Sequence, residues 1–579
     1  MTLVLRGTAL LAAVAALAAP AAADAWSQKT RLFPGVTYTK HFRWAYGGPL
    51  VLHVVVGPKP GGLYDLRPVL AGGRITGRAT LSSMQRRRMG RANAVGVNGD
   101  FFSWARGHLN GMLLRRGVLD TSPNAARSSL AVGADGVLRV ERIRFAGSWG
   151  AEDSPAVRLR QLNRSLPSRE GYALFTRRWG ARTPRARYAY EAILNGLART
   201  VPNRPRRAVV VRLVRGSGHF IPPGGAVLQA RGEQRRGLRT VARPGTTLQL
   251  AFGLDPWWDG VESAIGGGPL LVRGGRPVFR AEEAFTTYQL VPRHPRTAVG
   301  QLADGRIVLV AVDGRSTASW GLTIAQLAEE MARLGAVEAM ALDGGGSTTM
   351  AVNGRVLNDP SDGSERAVAD SLQLLYYGVH APPPRYGSFS PDGDGVRDVQ
   401  RLAARLVRPA RVDFRLLRPD RSVAWRLRDD LGRGTFAREL RRRSLAEGRW
   451  TWLTAATDAA GLTSRMRRTF VVNKTLGFLE LSSQVVRLRP KYGGRTVISF
   501  RQRNDATTSV VVRRRGGRLV RDLIGRRALP PGRYAVVWNA RNASGELVSP
   551  GRFLVRVRAT NRLGTVALQR RLSVVSAGG

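Results

Sequence analysis

The sequence predicts a mixed α/β catalytic domain followed by all-β Ig-like sandwich modules. Three observations carry that expectation. Residues 26–380 alternate short β-rich runs with glycine and proline turns and hold one clear amphipathic helix between two apolar strands. A proline-rich stretch, "APPPRYGSFSPDGDGVRD" (381–398), interrupts the chain. Beyond it, apolar and polar residues alternate through strand after strand with no helical period.

The 579 residues allow three or four domains at about 150 residues each. The first 23 read as a signal peptide. Arg6 is the basic flank, "TALLAAVAALAA" (8–19) the apolar core, and "AAADA" (21–25) the small residues around a cleavage site after Ala23. The alternative is an uncleaved anchor. Cleavage implies a secreted or cell-surface, extracytoplasmic protein with no transmembrane segment left after processing. The chain has no cysteine, which excludes disulfides, thiolate zinc sites and cysteine nucleophiles.

The formal charge of +52 invites a nucleic-acid reading. Five of the 92 basic residues are lysine, leaving 87 arginines scattered along the chain without a recognition motif. That skew fits arginine replacing lysine in a GC-rich coding sequence. No specific nucleic acid is expected as partner; anionic cell-envelope polymers are.

Within 26–380 the expected strands include "LVLHVVV" (50–56), "NAVGVN" (93–98), "RAVVVRLV" (207–214), "TTLQLAF" (246–252) and "GRIVLVAV" (305–312). Thr323 and Gln326 form a T-x-x-Q capping box. Leu327, Met331 and Leu334 recur at helical spacing, and Gly335 stands where a C-cap belongs. Strand 306–312, helix 324–334 and strand 337–342 then read as a βαβ unit. Ligands gather at the carboxyl ends of strands in such units, where Asp343 and its glycines stand.

Two sandwich modules are expected at 381–475 and 476–579. "PPGRYAVVWNARNASGELVSPGRFLVRVRA" (530–559) resembles the Ig-like domain of the flagellar hook-capping protein family. Between linker and first module, Asp392, Asp394 and Asp398 are spaced as oxygen ligands of a calcium loop, with Gly395 at the turn. The competing reading is a polar turn.

Four glycine-rich stretches stand out: "VNGDFFSWARGHLNGMLLRRG" (97–117), "SAIGGGPLLVRGG" (263–275), "HPRTAVG" (294–300) and "ALDGGGSTTMAVNGRVLN" (341–358). In each an apolar strand, glycines and an exposed polar residue occur together. Singly each is an ordinary turn; together they imply strand ends converging on one polar pocket.

In that order the four stretches resemble the phosphodiester glycosidase family, over residues 90–380. The resemblance implies a hydrolase that cleaves the glycosidic C–O bond of a sugar-1-phosphodiester, with a carbohydrate phosphodiester as substrate. The family pattern falls on Asn98, Gly99, Asp100 and Phe101, then on Gly266, Gly267, Gly268 and Pro269. It continues on Arg296 and Thr297, and ends on Asp343, Gly344, Gly345, Gly346 and Ser347. Relatives often have glycine where this chain has Asp100.

A phosphate is already a good leaving group, so the main tasks are to stabilise oxocarbenium-like charge and to activate water or a nucleophile. Asp343 suits either task. Arg296 suits bidentate phosphate binding, and His294 is a candidate proton shuttle. Backbone N–H groups around 266–268 and 344–346 could cradle oxygens, while Asn98 and Ser347 could bind sugar hydroxyls. Asp343 as a simple turn cap is the alternative. Ser347 is a poor hydrolase nucleophile, because Thr349 occupies the place where a nucleophile elbow needs glycine. His108 is a lesser acid–base candidate; Glu282 and Glu283 read as loop surface, and Asp313 as a turn residue. No H-E-x-x-H zinc motif, P-loop or dinucleotide fingerprint occurs. Rival functions are a metal-dependent phosphodiesterase cutting P–O and a non-catalytic glycopolymer-binding or adhesion protein.

Overall fold

The computed structural model describes residues 25–576 apart from 106, 167–168, 258, 279–281, 442 and 490–492. The signal-peptide reading of residues 1–23 lies outside the described residues. The chain divides into two compact units, residues up to Arg87 with Ala94–Leu375, and Arg88–Asn93 with the chain from Tyr376 onward.

The first unit is not mixed α/β. It is nearly all β: the described residues of the whole chain hold only four α-helices, the longest of ten residues, against forty-one strands. The expected helix is present at Ile324–Arg333 with its capping box complete: Thr323 Oγ1 accepts from Gln326 N at 3.1 Å, and Gln326 Oε1 accepts from Thr323 N at 3.1 Å. Its flanking strands are Ile307–Val312 and Ala336–Leu342. They do not adjoin. Strand Arg296–Leu302 lies between them and pairs antiparallel with both. The helix thus crosses over one intervening strand inside an otherwise antiparallel eight-stranded sheet.

The run "IVLVAV" looks like a parallel-sheet strand because both its faces are buried. Val308, Val310 and Val312 pack into the core that includes Leu327 and Met331 of the helix, and Ile307, Leu309 and Ala311 are equally inaccessible. Double burial erases the alternation that marks antiparallel strands.

A second eight-stranded sheet runs through residues 144–255, and its core includes Trp149, Tyr172, Leu228 and Phe252. Two five-stranded sheets complete the unit; one inserts Asn93–Asn98 between Met350–Val352 and Asp370–Tyr376.

The second unit holds two β-sandwiches. The first packs a five-stranded sheet and a two-stranded one around Phe389, Phe414, Trp450, Trp452 and Phe470. The second packs three strands and five around Ile498, Trp538, Phe553 and Val557. No helix among the described residues is long and apolar enough to cross a membrane.

Candidate active site

Antiparallel register assembles the site. Thr297 lies opposite Leu342, and Arg296 opposite Val312. The start of one strand therefore meets the ends of two others at a single sheet edge. Met350 pairs with Val97, which brings the Asn98 loop to the same place. Gly268 N donates to Ala341 O at 2.9 Å and docks the fourth loop. A Cβ at Gly267 would stand 2.7 Å from that same carbonyl oxygen, so only glycine lets the two backbones touch.

The junction lines a cleft of about 230 Å³ that includes Arg296, His294, Asp343 and Gly344–Gly346. Phe101, Trp104, Phe285 and Tyr288 supply aromatic walls.

Asp343 is half-buried. Burial pushes its carboxyl up to about 6, against the opposing pull of a hydrogen bond from Ser347 and the positive charges of Arg366 and Arg127. Beside it in the interior lie two more carboxyls. Asp100 is 2% exposed, and burial drives it to about 7. Its Oδ2 has no hydrogen-bond partner among the described residues. A Cβ at Gly111 or Gly266 would come within 2.5 or 2.6 Å of that oxygen. Asp370 is fully buried and raised well above the ordinary range by burial and then by Asp100; its Oδ1 accepts the Asp100 N–H at 2.9 Å. Arg127 provides the nearby positive charge, stacked 4.9 Å from Phe101 and 4.2 Å from Phe285.

Asn98 is a tie between loops. Its Nδ2 donates to Asp343 O at 2.7 Å; its Oδ1 accepts from Thr297 Oγ1 at 2.8 Å and Thr349 N at 3.1 Å. Asn98, Thr297 and Ser347 are all inaccessible to solvent. Gly99 O accepts from Asp343 N at 3.1 Å.

Arg296 lines the cleft but spends its guanidinium on the chain itself. Nε, Nη1 and Nη2 donate to Leu322 O, Gln289 O and Pro292 O at 2.7, 2.7 and 2.8 Å. Burial, then the neighbouring Arg315, lowers its pKa to about 10. His294 is likewise engaged: Nε2 donates to Tyr288 O at 3.2 Å and Nδ1 accepts from Arg315 Nη2 at 3.2 Å, which assigns the neutral Nε2–H tautomer. Burial and the adjacent Arg296 and Arg315 lower its pKa. Several glycine N–H groups are also committed: Gly267 to Ser128 O, Gly268 to Ala341 O and Gly345 to Pro295 O.

The sequence reading passed over three contributors, Arg315, Arg366 and Asp370, and assigned others differently. Arg315 and Arg366 line the cleft. Arg315 is exposed and forms no ion pair among the described residues. Arg366 donates to Ser347 Oγ at 3.2 Å, pairs with Asp362 at 2.6 Å and stacks on Trp104. Their signal drowned among 87 arginines. Asp370 had one: a carboxylate opening the otherwise uncharged strand "DSLQLLY". Glu283 is 2% exposed rather than surface; it accepts from Ser128 N, Ser128 Oγ and Leu270 N and anchors the loop bearing Phe285. Asp313 is buried and binds His53 Nε2 at 2.9 Å. His108 packs on Trp179, 5.8 Å between ring centres.

The phosphodiester glycosidase family model matches residues 189–375, which include the second, third and fourth glycine stretches. Over that segment the chain is similar to phosphodiester glycosidases. It is 40% identical over 117 residues to the SPbeta prophage-derived uncharacterized protein YomE of Bacillus subtilis (strain 168), 20% of this chain and 18% of that protein. It is 43% identical over 67 residues to N-acetylglucosamine-1-phosphodiester alpha-N-acetylglucosaminidase of Bos taurus, 12% of each. The chain thus spans less than a fifth of the length of these curated relatives. A hypothetical protein from Synechocystis shares the fold, with a TM-score of 0.53 and 24% identity over 59% of this chain and 62% of that one. The cleft residues Arg296, Arg315, Asp343 and Arg366 all fall inside the matched segment; Asn98, Asp100 and Phe101 precede it.

In the second unit, one oxygen from each of Asp392, Asp394 and Asp398 lies within 4.8 Å of the others. Burial first, then the charges of Asp394 and Asp398, raise Asp392 to about 6. Every one of the six carboxylate oxygens accepts an N–H or O–H bond, from Ser390, Gly393, Asp394, Gly395, Val396 and Phe478, so the three acids also hold a polar turn together.

Proposed function

We propose that the protein is an exported hydrolase that cleaves the glycosidic C–O bond of a sugar-1-phosphodiester in a cell-envelope or extracellular glycopolymer. The observation that carries this reading is Asp343: a half-buried carboxylate on a cleft wall with aromatic rings and two arginines, Arg315 and Arg366, beside it. The sugar ring would lie against the aromatic walls with its anomeric carbon facing Asp343. The phosphate would sit toward the arginines, whose charge stabilises it as it departs. Asp343 either stabilises the oxocarbenium-like carbon while water adds to it, or attacks it to form a glycosyl ester that water then hydrolyses; in both cases the water's proton passes to the departing phosphate or to solvent.

Asn98 and Arg296 act in this scheme by holding loops in place. Asn98 fixes the backbone of Asp343, and Arg296 fixes the 289–292 segment that carries one aromatic wall. Gly99, Gly267, Gly268, Gly344, Gly345 and Gly346 permit the close loop contacts that shape the cleft. Asp100 stands behind the wall as a carboxyl that burial shifts toward its neutral form, and His294 orients Arg315.

Full-length protein assayed against a panel of sugar-1-phosphodiesters, with EDTA or with added divalent cations, tests the reading. Hydrolysis that survives EDTA supports it; release of a sugar-1-phosphate only in the presence of a metal supports P–O cleavage instead. The sandwiches would hold the enzyme at an anionic envelope polymer, with calcium at Asp392, Asp394 and Asp398 bracing the first of them. A melting temperature of that module that rises with added calcium supports the last point.

A further inference from the structure

The first unit has a second cavity, larger than the cleft. It has a volume of about 650 Å³ and contains six arginines: Arg74, Arg115, Arg116, Arg177, Arg178 and Arg199. Chain-wide composition does not account for this. With 92 basic residues in 579, fifteen lining residues would include fewer than three.

One carboxylate serves the group. Asp120, 1% exposed, pairs with Arg115 Nε at 2.5 Å and Arg178 Nε at 3.3 Å. It fixes two guanidinium planes without neutralising the rest. Arg199 donates to the carbonyl of Arg116 at 3.0 Å, and Arg177 stacks 5.0 Å from the ring of Phe220. Arg74 and Arg116 are exposed and have no side-chain partner among the described residues. Six like charges around one hollow repel each other unless an anion enters.

The backbone adds an independent sign. Arg116 and Gly117 both have positive φ, 53° and 69°, in the hairpin joining Leu113–Arg115 to Val118–Thr121. Such a turn is cheapest with Asn-Gly. The chain instead keeps a bulky arginine in a left-handed conformation, at a cost in backbone strain, and it lines the cavity.

We propose that this pocket is a second binding site, for consecutive phosphate groups of an anionic phosphodiester polymer. It would hold the polymer away from the cleft while one sugar-1-phosphate bond is cut. The choice of a phosphodiester glycopolymer over other polyanions rests on the function proposed for the cleft; the anion site itself does not. Guanidinium groups in fixed planes suit phosphate oxygens in bidentate pairs.

The test is binding, without turnover, of a fluorescent glycerol-phosphate oligomer to the full chain at physiological salt. Arg74→Gln/Arg116→Gln/Arg177→Gln should weaken it at least ten-fold. Arg449→Gln/Arg465→Gln/Arg467→Gln, which removes the same charge from a sandwich face, should change it less than two-fold. Arg116→Asn suits the turn, keeps the fold, and should alone weaken binding about three-fold. Equal losses from the two triple variants would overturn the proposal in favour of diffuse charge. Tighter binding of an oligothymidylate with the same number of phosphates would overturn it in favour of nucleic acid. Binding that persists in Asp343→Asn, in a protein inactive on every sugar phosphodiester, would sustain the anion site and sink the cleft's proposed function instead.

Discussion

The cleft and the arginine pocket lie in one unit and handle charge in opposite ways. In the cleft, charge is spent on construction. Arg296 satisfies three carbonyls, Arg366 is paired with Asp362, and Asp100 and Asp370 are pushed toward neutrality by burial. In the pocket, one buried carboxylate pairs with two of six guanidiniums, and two others have no side-chain partner among the described residues. Charge that is internally satisfied shapes a site, and charge left over binds something. A count of arginines cannot separate the two.

The sharpest way to break this contrast is through Asp343, the half-buried acid of the cleft. Asp343→Asn is expected to lower kcat on a sugar-1-phosphodiester by about 10²–10⁴-fold with no loss of stability. In the unaltered enzyme kcat/KM should rise with an apparent pKa near 6, where Asp343 ionises.

The next effect is on stability. Burial raises Asp100 from 3.8 to about 7. The folded protein therefore holds that proton more tightly than the unfolded chain. Its contribution is complete below about pH 4, is lost as pH rises through 7, and stays lost above. Asp100→Asn should flatten this decline and raise stability at pH 8 by on the order of 3 kcal/mol, read from urea unfolding at pH 4, 6 and 8. Asp370 acts with the same sign and keeps a residual slope.

Arginines within the cleft divide the same way. Arg296→Gln leaves buried carbonyls unsatisfied and should cost roughly 3 kcal/mol of stability. Arg315→Gln should leave the melting temperature alone and raise KM about ten-fold, a split that steady-state kinetics beside calorimetry would detect. The smallest change lies outside both regions: Thr323→Ala removes one half of the capping box and should cost about 1 kcal/mol.

These contrasts also explain what was legible in the sequence. The capped helix was, because capping and periodicity are local. The convergence of the four glycine stretches was, because glycine at 267, 268 and 345 answers to close backbone contacts that leave a mark on the chain. The sheet was misread: "IVLVAV" is buried on both faces, and its neighbour in space, Arg296–Leu302, is a strand that precedes it and pairs with two partners. Nothing local announces that arrangement. Arg296 lines the cleft, but its partners are carbonyls of Gln289, Pro292 and Leu322, which only folding brings to it. The pocket escaped altogether, since Arg74, Arg115, Arg177 and Arg199 are gathered from distant segments of an arginine-rich chain.

The central claim is that the cleft breaks the bond between the anomeric carbon and oxygen. Hydrolysis of a sugar-1-phosphodiester in ¹⁸O-water, with both products weighed by mass spectrometry, tests it directly. The account predicts the label in the sugar and none in the phosphate; label in the phosphate would contradict it.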